Sequence, residues 1–363
     1  MVDVLTLDGS HGEGGGQILR TALSLSVITT RAFRLINIRK NRRNPGLSPQ
    51  HLSAVRAAMT ISRATVSGDQ LGSTELAFSP RQSSRSGPYE FDVAEIAERG
   101  SAGSIGLVLQ TILLPLALAG GPSTLVLRGG THVEWSPPFD DLIEAYFPAL
   151  RRIGIPVEAE LKRWGWHPVG QGEIVCRISE RPDDTDAPRF HPIEVLDRGI
   201  LRRIAGRAVA ANLPAHIPQR MTEQVRARLR DFGVPVDIQP ECVTAACPGA
   251  GIFLLADYEN MAATFSAYGR LGKPSEAVAD EAAAALAEHH ASGAAVELHL
   301  ADQLLLPLAL ASGPSVFTVA KPTGHLTTNA WTIEQFGIAD ISTDDEPPHR
   351  VRVTPRRWRQ NTH

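Results

Sequence analysis

Two short segments at opposite ends of the chain hold residues that could do chemistry on a phosphate. Near the C-terminus, KPTGHLTTNAW places His325 in a Gly/Thr/Asn loop between a β-rich run, SVFTVA, and a helix-like one, WTIEQFG. A histidine there can face a ligand at the end of a strand. The hydroxyls of Thr327 and Thr328 and the amide of Asn329 would cap the following helix or hold a phosphate. Near the N-terminus, LTLDGSHGEGGGQILR supplies a glycine-rich turn with a single carboxylate, Glu13. GEGGG is neither a P-loop, lacking the Gly-Lys-Ser/Thr ending, nor a G-x-G-x-x-G fingerprint. Gly12, Gly14, Gly15 and Gly16, standing before the helix-like QILRTAL, leave free N–H groups for an anion. Glu13 is a poor residue for an apolar turn but a good oxygen ligand for Mg²⁺, which usually keeps its phosphates and one or two carboxylates.

Further polar residues lie between these two. RKNRRNPG packs Arg39, Lys40, Arg42 and Arg43 into one loop, either a solvated face or a set of contacts to an RNA backbone. Gln50 and His51 begin the next helix. GSAGS, residues 100–104, opens a helix that carries Gln110, a polar residue in an apolar helix that needs a partner when buried. His132 ends a strand in RGGTH and is expected to approach the site, whereas His289 and His290 are expected on the surface.

The chain that must position these groups has 363 residues and is 43% hydrophobic, enough to bury a large core in one big domain or about two. Its formal charge of −3 excludes a nonspecific polyanion binder, so any nucleic-acid contact must be local. Cys176, Cys242 and Cys247 are too few and too poorly spaced for a disulfide framework or a zinc site, which points to a reduced, cytoplasmic setting. VDVLTLDG at the start lacks a signal-peptide pattern. IGLVLQTILLPLALAG is short of a membrane span and reads as a buried helix, so no membrane partner is expected.

An internal echo organises the elements. PLALAGGPS (115–123) recurs as PLALASGPS (307–315), each preceded by a glutamine, Gln110 or Gln303, and followed by a β-rich run. A fainter copy starts at Gln17. Each unit continues into a second helical stretch and then strand candidates. The expected fold is therefore α/β (α+β), with three repeated β-α-β-α-β-β units forming a large domain over 1–184 and 274–363. Between the second and third copies, strand and amphipathic-helix patterns alternate without fitting the repeat, with Val225, Leu229 and Phe232 along one helix face. This material, 185–273, is expected to form a smaller inserted α/β domain.

DGSHGEGGGQILR, RNPGLSPQH, GSAGSIGLVLQTILLPLALA, RGGTH, HLADQLLLPLALA and GHLTTN, in this order, closely resemble the RNA 3′-terminal phosphate cyclases. The resemblance spans the chain apart from the insert and the Arg-rich tail. It implies ATP-dependent conversion of an RNA 3′-phosphate into a 2′,3′-cyclic phosphodiester through a covalent histidine-AMP intermediate and an adenylylated RNA end, with release of pyrophosphate and AMP. By this resemblance His325 is the nucleophile and Glu13 the residue for Mg²⁺ or Mn²⁺. Arg20, Gln50, His51 and Gln110 would face ATP. So would the segment His299, Leu300, Ala301, Asp302 and Gln303, in which Asp302 accepts from ribose hydroxyls and His299 stacks on adenine. Arg39 and Arg42 would hold the RNA phosphate.

Two alternatives share the architecture. One is a ribosome-assembly relative of this family without nucleotidyl transfer, against which the presence of His325, Glu13, Gln110 and Asp302 argues. The other is an enolpyruvyl transferase, which would need basic residues for a carboxylated sugar acid and no ATP.

Overall fold

The computed structural model describes residues 4–96, 102–180 and 190–357. Gly100 and Ser101 of the GSAGS segment and the linker residues 181–189 fall outside them. The first unit runs β1 (Leu5–Asp8), α1 (Gln17–Thr29), β2 (Phe33–Ile36), α2 (Pro49–Ser62), β3 (Thr65–Ser67) and β4 (Leu76–Ser79). The second runs β5 (Pro88–Asp92), α3 (Ile105–Ala117), β6 (Ser123–Gly129), α4 (Phe139–Asp141), a π-helical turn over Leu142–Tyr146, α5 (Phe147–Arg152), β7 (Val157–Arg163) and β8 (Gly172–Ile178). β9 (Glu194–Val195) then opens the third unit.

The chain leaves that unit at once for β10 (Leu201–Ala211), α6 (His216–Leu229), β11 (Val236–Val243), β12 (Gly249–Tyr258), β13 (Ala262–Tyr268) and α7 (Ser275–Ser292). It returns as α8 (Leu298–Ala309), β14 (Ser315–Val319), α9 (Gly324–Gln335), β15 (Ala339–Thr343) and β16 (His349–Pro355). The sheet orders are β1-β2-β4-β3, β5-β6-β8-β7 and β9-β14-β16-β15, one pattern three times over. In each, the first two strands are parallel, joined by a helix in the first two units and by the insert and α8 in the third, so the loops that leave them emerge at one end of the sheet. The insert has its own sheet, β11-β10-β12-β13.

Packing moves both edges of the expected insert, 185–273. β9 lies within that range yet pairs parallel with β14, Val316 beside Glu194 and Phe317 beside Val195. α7 lies beyond it yet buries Val278, Ala279, Ala282, Ala283 and Leu286 in the insert's core with Val225 and Leu229. A two-residue strand carries no alternation to detect, and Pro274, which reads as a breaker, is instead the residue that caps α7.

One hydrophobic core runs through all three units. Its centre is α1 and α3, where Leu23, Leu25, Leu109, Ile112 and Leu113 are fully buried. No helix among the described residues is long and apolar enough to cross a membrane.

Candidate active site

α9 does not begin where its sequence suggests. Thr323 is its N-cap, its hydroxyl accepting from Leu326 N at 3.1 Å, and Gly324 is the first helical residue. His325 therefore sits in the first turn of the helix rather than in a loop before it. Thr327, Thr328 and Asn329 are inside the helix and do not cap it. The T-G-H sequence satisfies the free N–H groups one turn earlier than T-T-N would.

Released from capping, these residues tie the units together. Thr328 Oγ1 accepts from Glu13 N at 3.2 Å. Asn329 Oδ1 accepts from Thr21 of α1 at 2.7 Å, and its amide donates to the Asp302 carbonyl of α8 at 2.7 Å. His11 stacks on Trp331 with ring centroids 4.0 Å apart. The glycine-rich loop of the first unit is thus clamped to the helix carrying His325. Gly12 is needed for the fit: its φ is +58° and a Cβ there would stand 2.2 Å from Thr328 Oγ1.

The clamp brings Glu13 to His325, Oε2 to Nε2 at 2.9 Å, while Glu13 Oε1 accepts from Arg42 at 2.7 Å. The histidine side chain remains 47% exposed, so a ligand can reach it. The hydrogen bond from His325 holds the Glu13 carboxyl below its usual range. Asp302 lies near His325, His299 and Arg20. Its burial outweighs the influence of these neighbours and pushes its carboxyl up to about 6. Burial also lowers Arg20 to about 10; its guanidinium donates to Gln17 at 2.6 Å.

His51 is 4% exposed and forms a capping box with Ser48, Oγ to Nδ1 at 2.6 Å. Burial, with Arg20 and Arg39 nearby, drives the imidazole down to about 3, so it is neutral. Its Nε2 points at Gly16, where a Cβ would come within 2.1 Å. Gln50 Oε1 accepts from Ser104 N at 3.4 Å, joining α2 to the cap of α3. Gln110 finds its partner in its counterpart from the third unit, Nε2 to Gln303 Oε1 at 2.9 Å. These two line a cavity of about 30 Å³, roughly one water in size, together with Arg20, Tyr146 and Asn329.

Other expected residues are placed differently. Leu300 and Ala301 are buried in the main core, so their side chains face away from the site. Arg39 donates to the carbonyl of Gly46 in its own loop at 3.0 Å, leaving Arg42 as the arginine on Glu13. His132 is fully buried elsewhere, its Nε2 2.7 Å from Asp140, which also accepts from Arg207 of the insert at 2.6 Å. His289 is buried rather than superficial. Sequence reasoning missed Glu297, a buried N-cap whose Oε1 accepts from His299 Nδ1 at 2.8 Å. The E-x-H spacing at a helix start is the signal that could have found it.

No group of three or more potential metal ligands gathers among the described residues. Glu13 can still serve a divalent cation that takes most of its other ligands from phosphates and water. The arrangement suits an anionic ligand near a nucleophilic imidazole: backbone N–H groups of a glycine loop, Arg20 and Arg42, one carboxylate and an accessible His325.

A sequence model of the family described as RNA 3′-terminal phosphate cyclase matches residues 11–343. A protein of that name from Methylococcus capsulatus is 51% identical over 338 residues, covering 93% of this chain and 92% of its own. The namesake from Gloeothece citriformis is 48% identical, with 94% and 96% covered. That from Thermococcus onnurineus is 41% identical, with 97% and 99% covered. Among solved structures, the enolpyruvyl transferase NikO from Streptomyces tendae aligns with a TM-score of 0.24 at 12% identity, over 98% of this chain and 83% of that one, too weak a likeness to argue from.

Proposed function

Because the chain belongs to the RNA 3′-terminal phosphate cyclase family, we propose that it converts an RNA 3′-phosphate to the 2′,3′-cyclic phosphodiester by way of AMP carried on His325. The observation that carries this reading is the accessible His325 imidazole held 2.9 Å from Glu13, beside Arg42 and the N–H groups of the glycine loop.

The lone pair of an imidazole nitrogen attacks the α-phosphate of ATP; the bond to pyrophosphate breaks and the ring proton leaves. An oxygen of the RNA 3′-phosphate then attacks the same phosphorus, breaking the P–N bond and leaving AMP on the RNA end. The neighbouring 2′-hydroxyl closes the ring and AMP departs. DNA ends lack that hydroxyl and cannot follow. Arg20 and Arg42 offset the charge of the phosphates. Glu13 would hold Mg²⁺ or Mn²⁺, which supplies further charge neutralisation when bound. Asp302 would accept from the ribose hydroxyls and His299 would stack on the adenine. Free thiols at all three cysteines fit a reducing cytoplasm.

Incubation with ATP labelled in the α-phosphate tests the reading. The protein should take up label in a form that acid releases, as expected of a phosphoramidate, and His325→Ala should take up none while keeping a cooperative thermal transition. Full labelling of His325→Ala would overturn the assignment.

A further inference from the structure

Trp135 is 97% exposed, and it is the only aromatic side chain among the large exposed hydrophobics of the described residues. Its backbone has φ +64°, a left-handed conformation that bulky residues rarely adopt. An indole held in solvent on a strained backbone is maintained by its surroundings rather than by its own preference.

Those surroundings are well anchored. Ser136 Oγ donates to Val133 O at 2.9 Å, Thr131 N donates to Gly165 O at 2.9 Å, and Phe139 N donates to Thr131 O at 3.1 Å. Gly130 donates to Gly103 O at 3.0 Å and accepts from Ile105 N at 3.0 Å. A Cβ on Gly130 would stand 2.3 Å from Ala102 O, so glycine lets the two loops touch. The tryptophan is therefore presented by a fixed loop.

The loop is the counterpart, in the second unit, of two loops of the candidate active site. It follows β6 and precedes α4, the place in the second unit that the loop of Arg39 and Arg42 takes in the first and the approach to His325 takes in the third. A chain of contacts joins them: His325 to Glu13, Gly16 against His51, Gln50 to Ser104, and Ser104 paired with Gly130. The loop's counterpart in the first unit carries the basic run Arg39, Lys40, Arg42 and Arg43. Basic side chains and an exposed aromatic platform are what single-stranded nucleic acid needs, charges for its backbone and a ring for a base.

We propose that Trp135 is a stacking platform for a nucleobase of the substrate RNA upstream of its 3′-phosphate end. The ligand follows from the cyclase reading, on which this inference rests. Stacking is indifferent to base identity, so the platform adds affinity for RNA strands of any sequence.

Fluorescence anisotropy with a 5′-labelled oligoribonucleotide bearing a 3′-phosphate, in the absence of ATP, tests this directly. Trp135→Ala should weaken binding about 5- to 150-fold, and Trp135→Phe should restore most of it. The slope of log affinity against log salt should stay as in the parent, because stacking releases no counterions. Parental affinity in Trp135→Ala would overturn the proposal. So would a loss confined to self-adenylylation, which needs no RNA and would put the indole on the nucleotide instead. Failure of the parent to label with ATP would count against the histidine-AMP reading alone, since the anisotropy measurement contains no ATP.

Discussion

Glu297 Oε1 stands 2.8 Å from His299 Nδ1, while the second oxygen of the same carboxylate accepts from the backbone N–H of His299 and Leu300 at 2.8 and 3.1 Å. The carboxylate is 7% exposed, whereas the imidazole extends into solvent. One buried acid thus starts α8 and fixes the ring expected against adenine. The hydrogen bond and charge of Glu297, with Asp302 and Asp141 adding to it, raise His299 to about 9, so the ring is an imidazolium at neutral pH.

A pH dependence follows, with a definite sign. A histidine whose folded pKa is raised contributes stability in full below its unfolded value, about 6.5, and loses it as pH rises through the folded value. Thermal unfolding should therefore show a decline in stability between pH 7 and 9 that Glu297→Gln lacks. NMR titration should place His299 near pH 9 in the parent and lower in the variant. A cationic ring over adenine adds a cation–π contact, so the KM for ATP should rise over the same interval in the parent. An unchanged His299 titration in Glu297→Gln would disprove the pairing.

Gly12 offers a test of the clamp between the glycine loop and α9. An alanine there must adopt φ +58° and meet Thr328 Oγ1 at 2.2 Å. Left-handed backbone costs a residue other than glycine about 1–2 kcal/mol, and the collision displaces Glu13 from His325. Gly12→Ala should slow self-adenylylation at least about tenfold, an added barrier of about 1.4 kcal/mol, with a modest fall in Tm. Adding Thr328→Ala relieves the collision but not the backbone strain, so stability should recover only in part.

The three units are legible in sequence because their helices bury one apolar stretch each and repeat it, most plainly in the copies ending at Ser123 and Ser315. The glycine loop and His325 are legible because their residue types are unusual for a turn or a helix start. What is not legible is set by long-range contacts. Nothing local assigns Glu194 and Val195 to β14, or α7 to the insert's core. Thr323 and the T-T-N stretch compete for the same capping role, and only the docking of Thr328 and Asn329 against the other units decides between them. Gln110 announces the need for a partner, but which residue supplies it depends on how α3 and α8 meet.

The two arginines expected on RNA should differ. Arg42 touches Glu13, so Arg42→Ala should slow labelling by ATP as well as weaken RNA binding, and should flatten the salt dependence of RNA affinity by about one counterion. Arg39 holds the Gly46 carbonyl, a single hydrogen bond worth about 0.5–1.5 kcal/mol. Arg39→Ala should loosen its loop and reduce RNA binding while labelling stays closer to the parent. Equal loss of labelling in both variants would show that Arg39 reaches ATP despite its position.

Gln110 and Gln303 pose the question of whether a polar pair at the meeting of two repeats is structural or serves the ligand. Replacing one by leucine leaves the other's amide without its partner in a half-buried place, at a cost of about 1–3 kcal/mol. Replacing both removes the unpaired group and sets leucines beside Leu114 and Leu306, which line the same small cavity. The double variant should then be more stable than either single one, with a coupling energy of about 1 kcal/mol or more. If Gln110 also contacts the nucleotide, activity will not follow stability: Gln110→Leu and the double variant should both show a raised KM for ATP. Thermal denaturation and ATP-dependent labelling on the same three variants separate the two roles, and a double variant with parental ATP use would make the pair structural only.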